Sequence, residues 1–367
     1  MAPNIFSRLR GLDAPTVVEK SKDAVRIGIL GAARIAPQSL ISPAAGLSQV
    51  LIAAVAARDI KRAEEYAVKH SIPKAYGSYE ELLNDTEIEA IYNPLPNALH
   101  YEWTIKALQA GKHVFLEKPA ASNGEEAQRI LEELQQHPEL VILENFHYQF
   151  HPALLRFREL VNDGRLGQIK NVSAIIRLPN LFGLDDIRFN YDLAGGINMD
   201  LGCYAVSALR FITNTEPLRV LEAEPTIVKE NVEGEMKAKL EFPEGITGEI
   251  HVSMIESWLS FRNFLPLLTV EGEQGEASIS AFVLPHMFHT ITLKNKRTGE
   301  TEYEKVYEEG RSSYQYSLKA FADKVRGKAT DYWYPFDKSV GNAVSVDRIY
   351  EGANMKLRGK PLNQSNN

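Results

Sequence analysis

The sequence predicts an α/β fold with two domains, a doubly wound parallel sheet followed by a helix-backed sheet that is mainly antiparallel. Three observations support this prediction. The chain of 367 residues is longer than one ordinary hydrophobic core accommodates. Up to about residue 150, short apolar runs alternate with runs of helical periodicity. Beyond that point, strand-like runs follow one another directly.

The apolar runs of the first half have the length and composition of buried strands. They cover residues 25–30, 50–57, 89–92, 113–117 and 141–145, with helices predicted between them, among others at 36–45 and 60–70. Strands that alternate with helices form βαβ units, whose strands lie parallel with helices on both faces. We therefore predict a Rossmann dinucleotide-binding domain over residues 25–145, preceded by an N-terminal arm at 1–24.

The second half changes to consecutive strands joined by turns that contain glycine, which favours an antiparallel meander. Predicted strands cover residues 169–178, 220–233, 236–242, 247–254, 263–271, 277–280 and 289–294, and predicted helices cover 152–163, 199–213 and 338–358. We expect an α+β domain over 146–335. Residues 336–367 are expected to return to the Rossmann domain as a helix and to end in a tail.

The composition restricts the partners and the compartment. A formal net charge of −7 and an isoelectric point near 5.8 argue against a general nucleic-acid partner. The single cysteine, Cys203, favours a reducing compartment, and we expect a cytoplasmic protein. No apolar run approaches the ~18–20 residues of a membrane span. For this reason no membrane partner is expected. The histidines and the cysteine lack the spacing of metal sites, so no metal is expected either.

A turn of small residues follows the first predicted strand and opens the first helix. It reads Gly31-Ala-Ala33-Arg34-Ile35-Ala, with alanine at the second and third glycine positions of the dinucleotide fingerprint. Small residues there let backbone N–H groups approach a pyrophosphate at the helix N-terminus. Because the strand–turn–helix context is present, we predict cofactor binding rather than a mere tight turn.

The end of the second strand bears on the choice of cofactor. The chain continues there as Ala57-Arg58-Asp59. An arginine can bind the 2′-phosphate of NADP, whereas an acidic residue at this place binds the ribose hydroxyls of NAD. Arg58 favours NADP, and Asp59 keeps NAD possible.

The tripeptide Glu117-Lys118-Pro119 ends the fifth predicted strand, where open α/β sheets place their ligands. Pro119 disfavours a helical conformation of Lys118, so the ammonium group can point into the crevice. A lysine there can stabilise a developing alkoxide or lower the pKa of a neighbouring phenol.

These motifs, taken in order, resemble the glucose–fructose oxidoreductase/inositol dehydrogenase/rhizopine-catabolism (GFO/IDH/MocA) family. The resemblance adds Asn93-Pro94-Leu-Pro-Asn-Ala-Leu-His100 after the fourth strand. It also adds Leu193-Ala-Gly-Gly-Ile-Asn-Met-Asp200-Leu-Gly-Cys-Tyr204 in the second domain, and it spans residues 25–358. Within the family, the sequence is most similar to the branch of dimeric dihydrodiol dehydrogenases and NADP-dependent D-xylose 1-dehydrogenases.

The resemblance implies roles for matching positions. Tyr204 would be the general acid/base, Lys118 its positively charged partner and Asp200 a substrate-orienting residue. Asp200 and Tyr204 are four residues apart, which places both side chains on one face of a helix. Cofactor contacts are implied for residues of the strand ends, namely Gly31, Ala33, Arg34, Ile35, Arg58, Asn93, Pro94, His100, Glu117 and Lys118.

One segment departs from the family pattern. Asn145, His147 and Gln149 stand where alanine, methionine and arginine are common. His147 can bond a substrate hydroxyl or relay a proton, although such a histidine is also often a packed residue. Arg188 and Trp258 are further substrate candidates, since an arginine can bond sugar oxygens and a tryptophan can stack on a ring.

The sequence thus predicts an NADP-dependent dehydrogenase that acts on CH–OH groups of an aldose or a cyclic polyol, including a trans-dihydrodiol. The alternative is a non-catalytic NAD(P)-sensing regulator of the same fold. A homodimer through the open face of the second sheet is expected, because an uncovered sheet face requires a partner and the family commonly pairs it.

Overall fold

The computed structural model describes residues 17–257 and 265–359, and it divides into two compact units. The first unit contains the chain up to Ala121, then Glu126–Phe150 and Glu309–Ser339. The second contains Ser122–Glu125, His151–Glu308 and the chain from Val340 on. Within the described ranges, no helix has the length and apolarity needed to cross a lipid bilayer.

The first unit is built on a parallel sheet of six strands. Their order is β3-β2-β1-β4-β5-β6, and every pairing is parallel, as predicted for a doubly wound fold. The strands are β1 Val25–Leu30, β2 Val50–Ala56, β3 Lys74–Tyr76, β4 Ala90–Asn93, β5 His113–Leu116 and β6 Ile142–Glu144. Strand β3 was not predicted, because its three residues lack an apolar run.

Helices connect these strands. They are α1 Ser42–Ala45, α2 Ile60–His70, α3 Tyr79–Asn84, α4 His100–Gln109 and α5 Gly124–Gln136, and α1 continues a π-helical turn at Pro37–Ile41. A further helix of this unit, α8 Ser313–Val325, comes much later in the chain. Helix α2 begins where Asp59 caps it, with the Asp59 carboxylate accepting a hydrogen bond from the Lys61 N–H at 3.0 Å. Its buried face is formed by Ala63 and Ala67.

The second unit is built on a sheet of eight strands in the order β14-β13-β12-β11-β7-β10-β9-β8. The strands are β7 Ile169–Pro179, β8 Arg219–Lys229, β9 Val232–Glu241, β10 Thr247–Glu256, β11 Leu267–Gly272, β12 Gly275–Ser280, β13 Ile291–Asn295 and β14 Thr301–Glu304. Only the β7–β10 pair is parallel among the pairings described. The prediction of a mainly antiparallel sheet is therefore confirmed.

The strand predicted over 220–233 in fact comprises nearly all of β8, the turn after it and the first two residues of β9. Asn231 adopts a left-handed conformation with φ of 59°, which turns the chain between β8 and β9. The first residues of the strand predicted over 263–271 lie outside the described residues, and β11 begins at Leu267.

The two faces of the eight-stranded sheet differ in chemistry. On one face, residues such as Met236 and Leu240 are buried. Helix α6 (Pro152–Asn162) contacts β12, and helix α7 (Cys203–Thr213) contacts β7 and β10. The other face carries charges paired across strands, including Arg219 with Glu241 and Lys239 with Glu249. Glu235, His251 and Glu256 bring three possible ligand atoms within 4.8 Å of one another on this side. In this cluster, Lys237 pairs with the Glu235 carboxylate and Arg177 pairs with the Glu256 carboxylate.

The C-terminal part of the chain is distributed differently from the prediction. Residues 336–367 were expected to return to the Rossmann domain, but most of helix α9 (Phe336–Gly352) belongs to the second unit. Asn342 donates a hydrogen bond to the Cys203 carbonyl oxygen at 3.1 Å, and Arg348 donates one to the Pro217 carbonyl oxygen at 2.8 Å. The segment that returns to the first unit is Glu309–Ser339, which contains α8.

Candidate active site

Gly31 begins the turn after β1. Gly31 has a φ of +82°, and its N–H donates a hydrogen bond to the Ala56 carbonyl oxygen at 2.7 Å. A Cβ atom at this position would lie 3.0 Å from the Leu95 Cδ2 atom. Glycine is therefore required both for the backbone conformation and for the close approach.

Helix α2 holds the carbonyl groups of this turn. Tyr66 donates its hydroxyl proton to the Ala33 carbonyl oxygen at 3.0 Å, and Arg62 donates to the Ala32 carbonyl oxygen at 3.4 Å. Burial raises the pKa of Tyr66 to about 12, so the phenol keeps its proton at neutral pH. The side chains of Arg34 and Ile35 are exposed beside the turn.

Arg58 lies at the end of β2 in a position suited to a phosphate. Its side chain is exposed, and no carboxylate in the described part of the chain forms an ion pair with it. Asp59, the residue that kept NAD possible, is engaged as the cap of α2. Burial raises the pKa of Tyr79, and the charges of Arg58 and Arg62 act in the opposite direction, so both arginines lie near this ring. This end of the sheet is electropositive.

The resemblance implied Asn93, Pro94 and His100 for the nicotinamide side. Asn93 is the last residue of β4, Pro94 and His100 follow it, and all three are buried. Asn93 donates from Nδ2 to the His100 carbonyl oxygen at 3.3 Å, and its Oδ1 accepts from the Leu95 N–H at 3.4 Å. The His100 ring lies between the carbonyl oxygens of Pro119 and Leu95, each 2.7 Å from a ring nitrogen. Asn93 and His100 therefore fix the backbone at two neighbouring strand ends.

Glu117 is a buried carboxylate at the end of β5. Its Oε1 accepts hydrogen bonds from the Tyr92 hydroxyl at 2.7 Å and from Asn145 Nδ2 at 3.0 Å. The Tyr92 hydroxyl also contacts the hydroxyl of Ser39. Sequence reasoning named Glu117 as a cofactor contact but missed Tyr92, since a tyrosine in an apolar strand looks like a core residue.

The residues on both sides of Lys118 are fixed by hydrogen bonds. Glu117 precedes it in the Tyr92 and Asn145 network, and the Pro119 carbonyl that follows it bonds the His100 ring. The Lys118–Pro119 peptide is cis, and the Lys118 side chain is half-buried. Its positive charge also contributes to the lowered pKa of His100, so the two groups lie near one another.

The three departures from the family pattern all have hydrogen-bond partners in the segment Glu309–Ser339. Asn145 Oδ1 accepts from the Ser317 hydroxyl at 2.9 Å, and His147 Nδ1 lies 2.8 Å from the Ser313 hydroxyl oxygen. The His147 ring stacks on Tyr314 with centroids 3.8 Å apart. Gln149 Oε1 accepts from the hydroxyl of a residue that follows α8, Tyr332, at 2.6 Å. These contacts are those of packed residues, and the substrate role of His147 stays a prediction.

In the second unit, Arg188 joins the aspartate that the resemblance singled out. Arg188 Nε donates to Asp200 Oδ2 at 3.1 Å, and Nη1 donates to Asp186 Oδ1 at 2.8 Å. The guanidinium carbon lies 4.1 Å from the centroid of the Phe182 ring. Burial lowers the pKa of Arg188, but the charges of the two aspartates outweigh it and raise the pKa overall. Arg188 therefore fixes one side of Asp200.

Asp200 and Tyr204 lie on consecutive helical turns of different kinds. Asp200 belongs to a π-helical turn, Asn198–Gly202, and Tyr204 to the first turn of α7. The predicted regular helix over 199–213 thus begins with one wider turn. The Tyr204 side chain is 6% exposed. Trp258, the remaining substrate candidate, lies outside the described residues.

The predicted residues fall into two groups, one in each unit. In the first unit, the cofactor candidates, Lys118 and His147 follow the carboxyl ends of β1, β2, β4, β5 and β6, which share one edge of a parallel sheet. In the second unit, Arg188, Asp200 and Tyr204 belong to one loop and the helix that follows it. Sequence reasoning missed the two buried residues that anchor this loop, Glu233 and Arg358.

A Rossmann unit with a glycine turn, combined with an α+β unit carrying a large open-faced sheet, is the architecture of a dinucleotide-dependent oxidoreductase. Residues 25–145 match the oxidoreductase family with an NAD-binding Rossmann fold, and residues 154–278 match the GFO/IDH/MocA C-terminal domain. The chain belongs to the GFO/IDH/MocA family of oxidoreductases, and the predicted resemblance is confirmed.

Curated relatives include sugar and diol dehydrogenases. A D-xylose 1-dehydrogenase (NADP(+)) from Haloferax volcanii is 36% identical over 328 residues, which cover 89% of this chain and 96% of that protein. A trans-1,2-dihydrobenzene-1,2-diol dehydrogenase from Mus musculus is 31% identical over 71% of this chain and 76% of its own. Among solved structures, a 3-ketoreductase from Actinomadura kijaniata in complex with NADP and TDP-benzene shares the fold. Its TM-score is 0.79 at 24% identity, with 92% of this chain and 100% of that chain covered.

The buried ring of His100 predicts a loss of stability in acid. Burial, together with the charge of Lys118, lowers the pKa of His100 from 6.5 to about 4, despite two carbonyl partners that favour the protonated ring. The folded state keeps the ring neutral while the unfolded chain binds a proton below pH 6.5. The contribution is therefore complete above pH 6.5 and is lost as the pH falls towards 4. By linkage, about 2 kcal/mol of this contribution has been lost at pH 5.

Chemical denaturation of the wild type and of His100→Gln at pH 5, 6 and 7 tests this expectation. The dependence of unfolding free energy on pH should be shallower in the variant. His137→Gln serves as the control, because His137 lies half-buried just after α5, near Glu133. Equal slopes for the wild type and His100→Gln would contradict the assignment.

Proposed function

We propose that the protein is an NADP-dependent oxidoreductase that oxidises a CH–OH group of an uncharged aldose or cyclic polyol, or reduces the corresponding carbonyl. The observation that carries the proposal is the placement of Lys118 at the end of β5, between two buried hydrogen-bonded groups. A cation held at this edge of a parallel sheet lies where such folds bind their ligands.

The residues of the first unit fit NADP. The Gly31 turn leaves a cradle that a Cβ atom would fill, and small residues continue it. Arg58 would hold the 2′-phosphate with Arg62 beside it, since Asp59 is engaged as a helix cap. Asn93, Pro94 and Glu117 would border the nicotinamide. The cofactor, when bound, accepts or supplies the hydride.

The protein's own part of the chemistry is proton transfer and orientation. Tyr204 would accept the proton of the substrate hydroxyl during oxidation and return it during reduction. A phenol has an ordinary pKa near ~10, so it needs a nearby cation to act at neutral pH, and Lys118 would supply that charge. Asp200 would accept a hydrogen bond from a second substrate hydroxyl, its orientation fixed by Arg188.

The charge near the substrate loop favours an uncharged substrate. A cavity of about 450 Å³ in the second unit is lined by Asp185, Asp186, Asp192 and Glu230, with Lys229 among them. Such a surface repels phosphates. This argues for free sugars or diols, as named for the xylose and dihydrodiol dehydrogenases, over nucleotide-linked sugars such as the dTDP-sugar named for a reductase from Streptomyces violaceoruber.

We also propose a homodimer through the charged face of the eight-stranded sheet. The charges on this face are paired across neighbouring strands, for example Arg219 with Glu241, so it can be covered without leaving isolated charges.

Replacing Tyr204 tests the proposed chemistry. We expect Tyr204→Phe to lower kcat by roughly 10²- to 10⁴-fold, because the general acid/base is lost. Binding of NADPH, followed by fluorescence titration, should be unchanged. Tyr303→Phe is the control, since Tyr303 is exposed on β14. Turnover by Tyr204→Phe at the wild-type rate would refute the assignment.

Replacing Arg58 tests the cofactor preference. Arg58→Ala should raise the KM for NADP by roughly 10- to 100-fold, the effect of losing one or two charge-assisted hydrogen bonds to a phosphate. The KM for NAD should change little. Arg129→Ala, which removes an exposed arginine on α5, is the control. A uniform change for both cofactors would show that Arg58 does not contact the 2′-phosphate.

A substrate screen tests the expected substrate class. D-xylose, D-glucose, inositols and a trans-dihydrodiol are compared with dTDP-glucose, and reduction of NADP is followed at 340 nm as the standard nicotinamide signal. Reduction with at least one uncharged compound, and none with dTDP-glucose, is expected. NADP binding without turnover on any compound would favour the regulatory alternative.

A further inference from the structure

An ion pair between two fully buried side chains lies beside the Gly-Gly loop of the second unit. Arg358 Nη2 is 2.6 Å from Glu233 Oε2. We propose that Glu233 and Arg358 are positioning residues, which hold the segment 195–200 so that Arg188, Asp200 and Tyr204 keep the arrangement needed for catalysis. This inference rests on the proposed function.

Glu233 fixes the start of the π-helical turn that carries Asp200. Its Oε1 accepts hydrogen bonds from the Asn198 N–H at 2.9 Å and from the Tyr350 hydroxyl at 2.8 Å. Asn198 is the first residue of the turn. With Oε2 bound to Arg358, both carboxylate oxygens are used, so the carboxylate has a defined orientation.

Arg358 fixes the other end of the segment. Its Nε donates to the Gly195 carbonyl oxygen at 2.6 Å, and its Nη1 donates to the Lys356 carbonyl oxygen at 2.7 Å. The guanidinium carbon lies 4.2 Å from the centroid of the Tyr350 ring. The chain after α9 is thereby attached to the Gly-Gly loop.

The anchored segment is connected directly to the candidate substrate residues. The Gly196 N–H donates to the Arg188 carbonyl oxygen at 2.7 Å, and the Asp200 N–H donates to the Gly196 carbonyl oxygen at 3.0 Å. A Cβ atom on Gly196 would lie 2.5 Å from Glu233 Oε1, so only glycine allows this approach. A displacement of the ion pair would move Arg188 and Asp200 together.

The energetics also favour a positioning role. A buried ion pair commonly stabilises a protein no more than apolar side chains of the same volume, because both ions lose their hydration. Burial raises the pKa of Glu233 even though Arg358 opposes that shift. A costly ion pair that binds two backbone groups of one loop, the Gly195 carbonyl and the Asn198 N–H, is explained by the geometry that it imposes.

The test compares Glu233→Gln, Arg358→Met and the double variant with the wild type. Glu233→Gln keeps an oxygen for the Asn198 N–H but loses the ion pair. Amide hydrogen exchange of the peptide 195–204 should become at least about ten-fold faster in each single variant. We expect kcat to fall by roughly 10- to 100-fold through misplacement of the site, with the Kd for NADPH unchanged. The effects in the double variant should be smaller than their sum.

Two further variants separate positioning from general destabilisation. Tyr350→Phe removes only one hydroxyl that donates to Glu233, so it is expected to fold and to show a milder effect of the same kind. Val252→Ala is the matched control, because Val252 is buried in β10 and takes no part in these bonds. Each variant is assayed at the same interval below its own melting temperature, and the control should keep the wild-type kcat.

Faster exchange in 195–204 with a lower kcat supports the inference. The inference would be overturned if the exchange rates and kcat of the Glu233 and Arg358 variants matched those of Val252→Ala. It would also be overturned if exchange became faster while kcat stayed unchanged, provided that Tyr204→Phe inactivates the enzyme. If Tyr204→Phe stays active, the proposed function fails. Faster exchange in that case still supports the anchoring of the loop by Glu233 and Arg358.

Discussion

In each unit a buried carboxylate binds hydrogen-bond donors beside the candidate catalytic residues. An ionised carboxylate removed from water must be surrounded by donors, and those donors are thereby fixed in place. Glu117 gathers Tyr92 and Asn145 at the ends of three neighbouring parallel strands. Glu233 gathers Arg358, Tyr350 and the backbone of the Gly-Gly loop. In both units the carboxylate holds the backbone from which the candidate catalytic side chain projects.

The distribution of positive charge separates structural arginines from candidate ligand-binding ones. Arg358 and Arg188 have carboxylate partners, which fix their geometry and neutralise their charge. Arg58 is exposed and forms no ion pair within the described residues, so no carboxylate there neutralises its charge. A dianionic phosphate group is attracted to a site of this second kind. The neighbouring carboxylate of Asp59 caps helix α2 by accepting a hydrogen bond from the Lys61 N–H.

The sequence alone predicted the parallel sheet, the glycine turn and the family, because each depends on local patterns such as short apolar runs and small residues. It did not predict α8, although Ser312 and Gln315 form a capping box that marks its start. Glu233 and Arg358 were missed for a physical reason. They are 125 positions apart, and an isolated charged residue near an apolar run gives no sign of whether it is exposed or buried. Only the tertiary structure pairs them.

The departures at Asn145, His147 and Gln149 show how a site can change while its architecture is kept. Each new polar side chain is buried, and a buried polar group without a partner is strongly unfavourable. The partners come from the returning segment, with Ser317 for Asn145, Ser313 for His147 and Tyr332 for Gln149. Exchanging Asn145 for the common alanine would leave Glu117 without one of its donors. The polar side chains of the segment Glu309–Ser339 thus supply partners for the buried polar groups of residues 145–149, and through Asn145 helix α8 is connected to Glu117.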